Sequence, residues 1–278
     1  MNLSRALWLL RVQRMAYNDN DPVKLAALGV EKLALLENKS TDTQAAIFRT
    51  LDDQNPGRRK AIIVAWPGTC TVKDALTDAN NFRRVPWVVT GPDGRTVSIG
   101  TAGVGFYRAF NSLWPLVGEH VARLLTAEHM WIENVGYSLG GALTQQCTMA
   151  IRHLIQAETS CHSFGSPRWA DVALARQYDQ DVLESVRVVH GEDIVTTVPF
   201  RCLNYAHTKG KLWLKDGRVV VPHYSGWWRA LLYRLHRAAE SWMAVPTPAR
   251  IKQAVTDHFS EAYIAELEQA LSCAEAWK

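Results

Sequence analysis

The stretch WIENVGYSLGGAL, residues 131–143, joins a short apolar segment to a helix-forming one through a serine set among glycines. Trp131 to Val135 has the length and apolar content of a buried strand. The run from Leu139 to Ile155 is rich in Ala, Leu, Gln and Met, which suit a helix. Between them, Gly136-Tyr137-Ser138-Leu139-Gly140 has the form GxSxG. Strand before and helix after is the setting in which such a serine stands on a strained turn, lifted clear at the helix N-terminus. Gly136 and Gly140 lack the Cβ atoms that would collide where strand and helix cross closely. The helix dipole and the free N–H of Leu139 point to where a tetrahedral oxyanion would form. A glycine-rich turn with an incidental serine is the plainer reading, and the flanking elements tell against it.

Working outward, apolar runs alternate with helical patterns as in a wound α/β sheet, without internal repeats or low-complexity tracts. AIIVAW, Ala61 to Trp66, is short, β-rich and uninterrupted, as a strand buried on both faces should be, and it stops at Pro67-Gly68. Further strands are expected at Trp87 to Thr90, Cys161 to Phe164 and Val186 to Val189. Helices are expected at Val23 to Glu37, Thr43 to Asp52 and Tyr107 to Leu125. Pro92-Asp93-Gly94 and Lys215-Asp216-Gly217, each between β-rich segments, predict two hairpins and hence a mixed sheet.

The chain has 278 residues and 47% hydrophobic content, enough for one large α/β domain spanning residues 1–278. Its 31 basic and 27 acidic residues are mixed along the chain, without the concentrated basic blocks of a nucleic-acid binder. Nucleic acid is therefore not expected as a partner. Five cysteines, widely spaced and without CxxC pairs, suggest neither a zinc site nor a disulfide framework, and fit a reducing compartment. Near the N-terminus, the apolar run Ala6 to Leu10 is too short for a signal h-region or a membrane span. It reads as an amphipathic helix, core-packing rather than membrane-anchoring. A cytoplasmic location is the expectation, with leaderless export left open.

A nucleophilic serine needs a base, and the base needs an orienting acid, in the chain order Ser, Asp or Glu, His. Asp193, just past a buried strand in VRVVHGEDIVTTVPF, stands where open α/β sheets gather their sites, with neighbouring Glu192 as the rival carboxylate. Four histidines follow: His207, His223, His236 and His258. His236 lies in a continuous helical pattern and His223 at a hairpin end, which suits structural roles. His258, beside Asp257 and Thr256, sits in an expected loop before the helix SEAYIAELEQAL, and such a loop can deliver a histidine.

Taken together, the motifs resemble the class 3 lipases, the fungal triacylglycerol lipases and their bacterial and plant relatives, over roughly Ala61 to Tyr263. AWPGTCTVKDALTDAN resembles the segment with Arg-Gly-Thr or Arg-Gly-Ser, and GFYRAF the Gly-Phe turn. GYSLGGAL resembles the elbow, SFGSPRWAD a strand with its following loop, VHGEDIVTTVPF the acid segment and DHFSEAY the histidine segment. The resemblance implies an α/β-hydrolase fold, a mostly parallel central sheet with helices on both faces and additional hairpins. It implies Ser138 as nucleophile, Asp193 as acid and His258 as base, with Thr69 and Leu139 supplying oxyanion N–H groups. It argues against His207 as base, because YAHTKGKLWL matches a non-catalytic block.

Three positions depart from the family pattern. Tyr137 stands where His is usual, and is expected to face the sheet interior and pack. Pro67 stands where Arg is common and Gly103 where a His precedes the Gly-Phe turn, so polar groups are missing around the oxyanion strand. The Lys73-Asp74-Ala75-Leu76 segment lacks the tryptophan of some fungal lids.

The expected activity is carboxylic-ester hydrolysis through an acyl-enzyme on Ser138, with an acylglycerol or other lipid ester as substrate and no metal or organic cofactor. The stretch between acid and histidine, residues 223–250, is expected as a helical insertion near the site, bringing Trp227, Trp228, Trp242 and several arginines together. It suits a lipid interface, and suits still better a helix packed on the core with its arginines solvated. Two rivals stay open: a non-catalytic member of the fold that binds lipid or a protein, and an acyltransferase using the same residues.

Overall fold

AIIVAW forms strand β3 (Ala61–Trp66), the middle of the molecule in a computed structural model that describes residues 2–17, 20–51, 60–68, 83–125, 131–220 and 248–275. All six of its residues are buried. Side chains of a strand alternate between faces, and here Val64 and Trp66 enter one core while Ile63 and Ala65 enter another on the opposite side. That explains the uninterrupted apolar run. A strand with one wet face would have alternated apolar with polar residues.

Before β3 come helix α1 (Leu3–Arg14), helix α2 (Pro22–Ala27), strand β1 (Val30–Asn38) and strand β2 (Thr43–Thr50). Here the structure corrects the expectation of helices at Val23 to Glu37 and Thr43 to Asp52. Gly29, at φ 65°, ends α2 in the left-handed conformation that favours glycine, and the chain continues as a strand. Leu, Glu and Lys in β1 look helical by propensity, but their environment is an antiparallel ladder with β2. Glu31 pairs across it with Arg49 and Glu37 with Gln44, so the polar residues satisfy one another between strands.

After β3 follow strands β4 (Arg84–Thr90) and β5 (Thr96–Gly103), helix α3 (Val104–Leu124), strand β6 (Trp131–Tyr137) and helix α4 (Leu139–Ala150), which runs into a single π-turn at Ile151–Ile155. Strand β7 (Glu158–Phe164), the short strand β8 (Ala170–Asp171), helix α5 (Val172–Asp181) and strand β9 (Glu184–His190) come next. Strands β10 (Tyr205–Ala206), β11 (Lys211–Lys215) and β12 (Arg218–Val220) and helices α6 (Pro248–Thr256) and α7 (Ser260–Glu275) complete the described chain.

The described strands form an eight-stranded sheet in the order β1-β2-β3-β6-β7-β9-β11-β12. From β3 to β11 its neighbours are parallel, and both edges are antiparallel. Helices α1 and α7 cover one face, with Leu9, Leu10, Tyr263 and Leu267 in that core. Helices α3 and α4 cover the other, where Phe110 packs on Trp66 with ring centroids 6.0 Å apart. This is the α/β-hydrolase arrangement. The N-terminal helix packs its apolar face on the core, as its pattern suggests.

Both expected hairpins form, in different sheets. Asp216 and Gly217, at φ 53° and 67°, turn β11 back as β12 on the large sheet, two consecutive positive φ angles being the type I′ pattern. The Pro92-Asp93-Gly94 turn joins β4 to β5 in a separate four-stranded sheet with β8 and β10. Among the described residues no helix is long and apolar enough to cross a membrane. The expected Trp/Arg-rich insertion lies almost wholly outside the described residues, as do His223 and His236.

Candidate active site

Strand β6 passes directly into helix α4 through Ser138, whose backbone sits at φ 57° and ψ −124°. A residue with a Cβ held there is strained, and it persists only where its surroundings over-determine it. The Ser138 N–H donates to the Phe164 carbonyl of β7 at 2.9 Å, and the Ser138 carbonyl accepts from the Gly141 N–H at 2.9 Å. A Cβ on Gly136 would lie 2.0 Å from the Gly140 carbonyl oxygen, and one on Gly140 would lie 2.0 Å from that of Trp66. Both obstacles are backbone, so neither can swing away. Gly140→Ala is therefore expected to destabilise the fold by about 3 kcal/mol or more, lowering the melting temperature by roughly 6–12 °C. An unchanged thermal denaturation curve would contradict this crossing.

The imidazole of His258 lies between Ser138 and a carboxylate. Its Nε2 is 2.8 Å from Ser138 Oγ, and its Nδ1 is 2.9 Å from each Asp193 oxygen. With Nδ1–H donating to the carboxylate, Nε2 is left to accept the serine proton. Of the two neighbouring carboxylates, Asp193 is buried against the imidazole and Glu192 is exposed. Of the other described histidines after Asp193, His207 is hydrogen-bonded at Nε2 to the Thr196 carbonyl, 2.8 Å away. Burial, followed by Arg187 and Arg168, holds its pKa well below the ordinary histidine value.

The three side chains are almost inaccessible, Ser138 at 2%, Asp193 at 1% and His258 at 0%. Buried polar groups at such a site must be satisfied from within. Asp193 accepts two further hydrogen bonds, from the Tyr263 hydroxyl at 2.5 Å and from the Val195 N–H at 2.8 Å. Burial and the neighbouring Asp193 push the Tyr263 hydroxyl well above its ordinary pKa, so it remains a donor. Tyr137 does more than pack in the interior. Its ring stacks on that of His258 at 5.2 Å and its hydroxyl donates to the His258 carbonyl oxygen.

Asp257 ties the two loops of the site together. Its Oδ2 accepts from the Glu192 N–H at 2.8 Å, its Oδ1 accepts from the Gln253 side chain at 2.6 Å, and its carbonyl lies 2.9 Å from His190 Nδ1. Gly165, at φ 58°, leaves the space the imidazole and carboxylate occupy; a Cβ there would meet Asp193 Oδ2 at 2.9 Å and His258 Cε1 at 3.0 Å. Sequence reading singled out neither Tyr263 nor Gly165. The one available signal was SFGSP, a glycine directly after a buried strand.

Leu139 is the first residue of α4, so its N–H belongs to the first turn, which has no intrahelical acceptor. Thr69, the other expected oxyanion donor, lies outside the described residues, which stop at Gly68 on this segment. Gly68 itself runs alongside the serine, where a Cβ would be 3.0 Å from Ser138 Cβ. Gly103, where a histidine was expected, caps α3 and donates its N–H to the Trp169 carbonyl at 2.8 Å. A cleft of about 60 Å³ opens between Tyr17, Pro67, Gly68 and Leu139. Among the described residues no cluster of His, Cys, Asp or Glu is placed to hold a metal ion.

The sequence model of the family described as lipase (class 3) matches residues 63–202 of this chain. The chain belongs to the class 3 lipase family. Within that match lie Ser138 and Asp193, while His258 and α1 lie outside it. This class 3 lipase family member is 29% identical over 141 residues to lipase ZK262.3 of Caenorhabditis elegans, covering 50% of this chain and 38% of that protein. It is 26% identical over 166 residues to secreted mono- and diacylglycerol lipase 1 of Fusarium solani, covering 57% of this chain and 45% of that protein. The chain thus spans less than half the length of either relative. Among solved structures, the lipase from Rhizopus microsporus var. chinensis superposes with a TM-score of 0.62 at 23% identity, over 77% of this chain and 74% of that one. That likeness shows a shared α/β-hydrolase fold.

Proposed function

We propose that this family member is a serine carboxylic-ester hydrolase acting on lipid esters, with Ser138 as nucleophile, His258 as general base and Asp193 as the orienting acid. The observation that carries this reading is the continuous chain of contacts from Ser138 Oγ through His258 to Asp193, at 2.8 and 2.9 Å, on a strained strand-to-helix turn. A serine that merely ended a strand would need neither that backbone conformation nor a buried imidazole and carboxylate aligned behind it.

On this reading His258 Nε2 takes the Ser138 proton as Oγ attacks the ester carbonyl, and Asp193 stabilises the imidazolium. The negative charge developing on the carbonyl oxygen falls at the N-terminus of α4, towards the Leu139 N–H and the expected Thr69 N–H. His258 then returns the proton to the leaving alcohol. Water, activated in the same way, releases the acyl group and restores Ser138. Tyr263, Tyr137 and Asp257 act before substrate arrives, holding His258 and Asp193 in line.

A lipidic substrate is favoured by the surroundings. A groove of about 860 Å³ between α1, α2 and α7 is lined by Met15, Leu28 and Ile264, with Arg11 and Arg14 among its polar residues. Tyr17 lines both this groove and the small cleft beside Leu139. Phe259, adjacent to His258, is exposed, which suits contact with an apolar surface. The relatives named as mono- and diacylglycerol lipases point the same way.

The deciding experiment is incubation with p-nitrophenyl esters of graded acyl length. Hydrolysis increasing with acyl length, and labelling by a fluorophosphonate at Ser138 alone, are the expected results. Absence of hydrolysis at every length, with binding of the same esters retained, would identify a non-catalytic binder instead.

A further inference from the structure

The chain leaving β3 passes the serine as Trp66-Pro67-Gly68, and little in its own sequence holds it there. Pro67 has no N–H and Gly68 has no side chain, and β3 has already ended. Glycine is the residue with the widest backbone freedom. On the inner side this segment is packed against the elbow, since a Cβ on Gly140 would strike the Trp66 carbonyl oxygen and one on Gly68 would touch Ser138. On the outer side it meets the end of α1. Gln13 Nε2 donates to the Trp66 carbonyl at 3.4 Å, and the Gly68 N–H donates to the Tyr17 hydroxyl oxygen at 3.2 Å. That hydroxyl also lies 3.5 Å from the Gly68 carbonyl oxygen. Gly68 is therefore gripped at its backbone by one phenol, directly beside the nucleophile.

We infer that Tyr17 is a positioning residue for the segment beside the nucleophile, its hydroxyl fixing the Gly68 backbone relative to Ser138. The inference rests on the hydrolase reading of Ser138. Tyr17 lies outside the stretch matched by the family model, residues 63–202. Alignment at the nucleophile matters most in the transition state, so a shift of the Gly68 backbone by a fraction of an ångström lowers turnover without weakening substrate binding.

Tyr17→Phe keeps the ring and removes only the hydroxyl. With a short soluble p-nitrophenyl ester, kcat is expected to fall about tenfold while KM stays within about twofold. Affinity for phenylboronic acid, which the serine oxygen converts to a tetrahedral anionic adduct, is expected to fall by a similar factor. The melting temperature should move little. Unchanged kcat and boronate affinity would overturn the inference. So would a rise in KM alone, which would place Tyr17 in substrate binding, or a marked fall in melting temperature accompanied by equal losses in kcat and substrate affinity, which would make it a packing residue. Failure of the hydrolase reading looks different: wild-type protein would then not hydrolyse the ester, or Ser138→Ala would hydrolyse it as fast.

Discussion

Ser138→Ala is expected to lower ester turnover by about a millionfold while leaving the melting temperature close to that of the parent. The substitution removes the attacking oxygen and little else. The turn it occupies is shaped by backbone, through the Ser138 N–H to Phe164 and the contacts of Gly136 and Gly140 with their neighbours. His258→Ala should match it, because a serine hydroxyl without its base is a poor nucleophile. The double variant should be scarcely worse than either single one, since residues that act as one unit are strongly non-additive. Steady-state kinetics on the three proteins, with circular dichroism as the folding control, make the check. A folded His258→Ala protein with near-normal turnover would overturn the assignment, and a dead His207→Ala protein beside it would name the replacement. His207 is bonded to the Thr196 carbonyl, so its loss should cost stability and spare hydrolysis.

Asp193→Asn is expected to lower kcat by about 10⁴-fold. On the proposed mechanism the carboxylate accepts the His258 Nδ1–H and so fixes the tautomer, and its charge stabilises the imidazolium that forms during attack. An amide could present its own N–H to Nδ1 and favour the wrong tautomer. Glu192→Gln should stay within a few fold of the parent, because Glu192 is exposed and only its backbone N–H, bonded to Asp257, takes part in the site. Reversal of these two effects in the same assay would mean that the acid has been placed one residue too late.

Much of this molecule could be read without coordinates wherever a local rule operates. β3 announced itself because burial on both faces leaves a strand no polar positions, and the elbow because two glycines bracket a serine at a strand-to-helix change. Asp216-Gly217 signalled a tight hairpin through the backbone angles that such a turn demands. The same local reasoning failed at β1 and β2. Their Leu, Glu, Lys and Ala residues favour a helix in isolation, and only pairing with each other and with β3 makes them strands. Propensity is worth tenths of a kilocalorie per residue, and ladder formation with burial outweighs it.

By itself the sequence determined the α/β order of elements, the elbow around Ser138 and a short list of carboxylates and histidines downstream, because each is written in neighbouring residues. Resemblance to the family picked Asp193 and His258 from that list, and only the tertiary structure brings them together at the serine. Ser138 and His258 are 120 residues apart, and Asp193 and His258 are 65 apart. They converge because parallel strands end on the same edge of one sheet and Asp257 ties the loop after β9 to the turn before α7. The contacts of Tyr17, Tyr137, Gly165 and Tyr263 belong to the same class. A tyrosine or a glycine carries no mark in the chain for the backbone or carboxylate it will touch, since that partner is chosen by packing across the core.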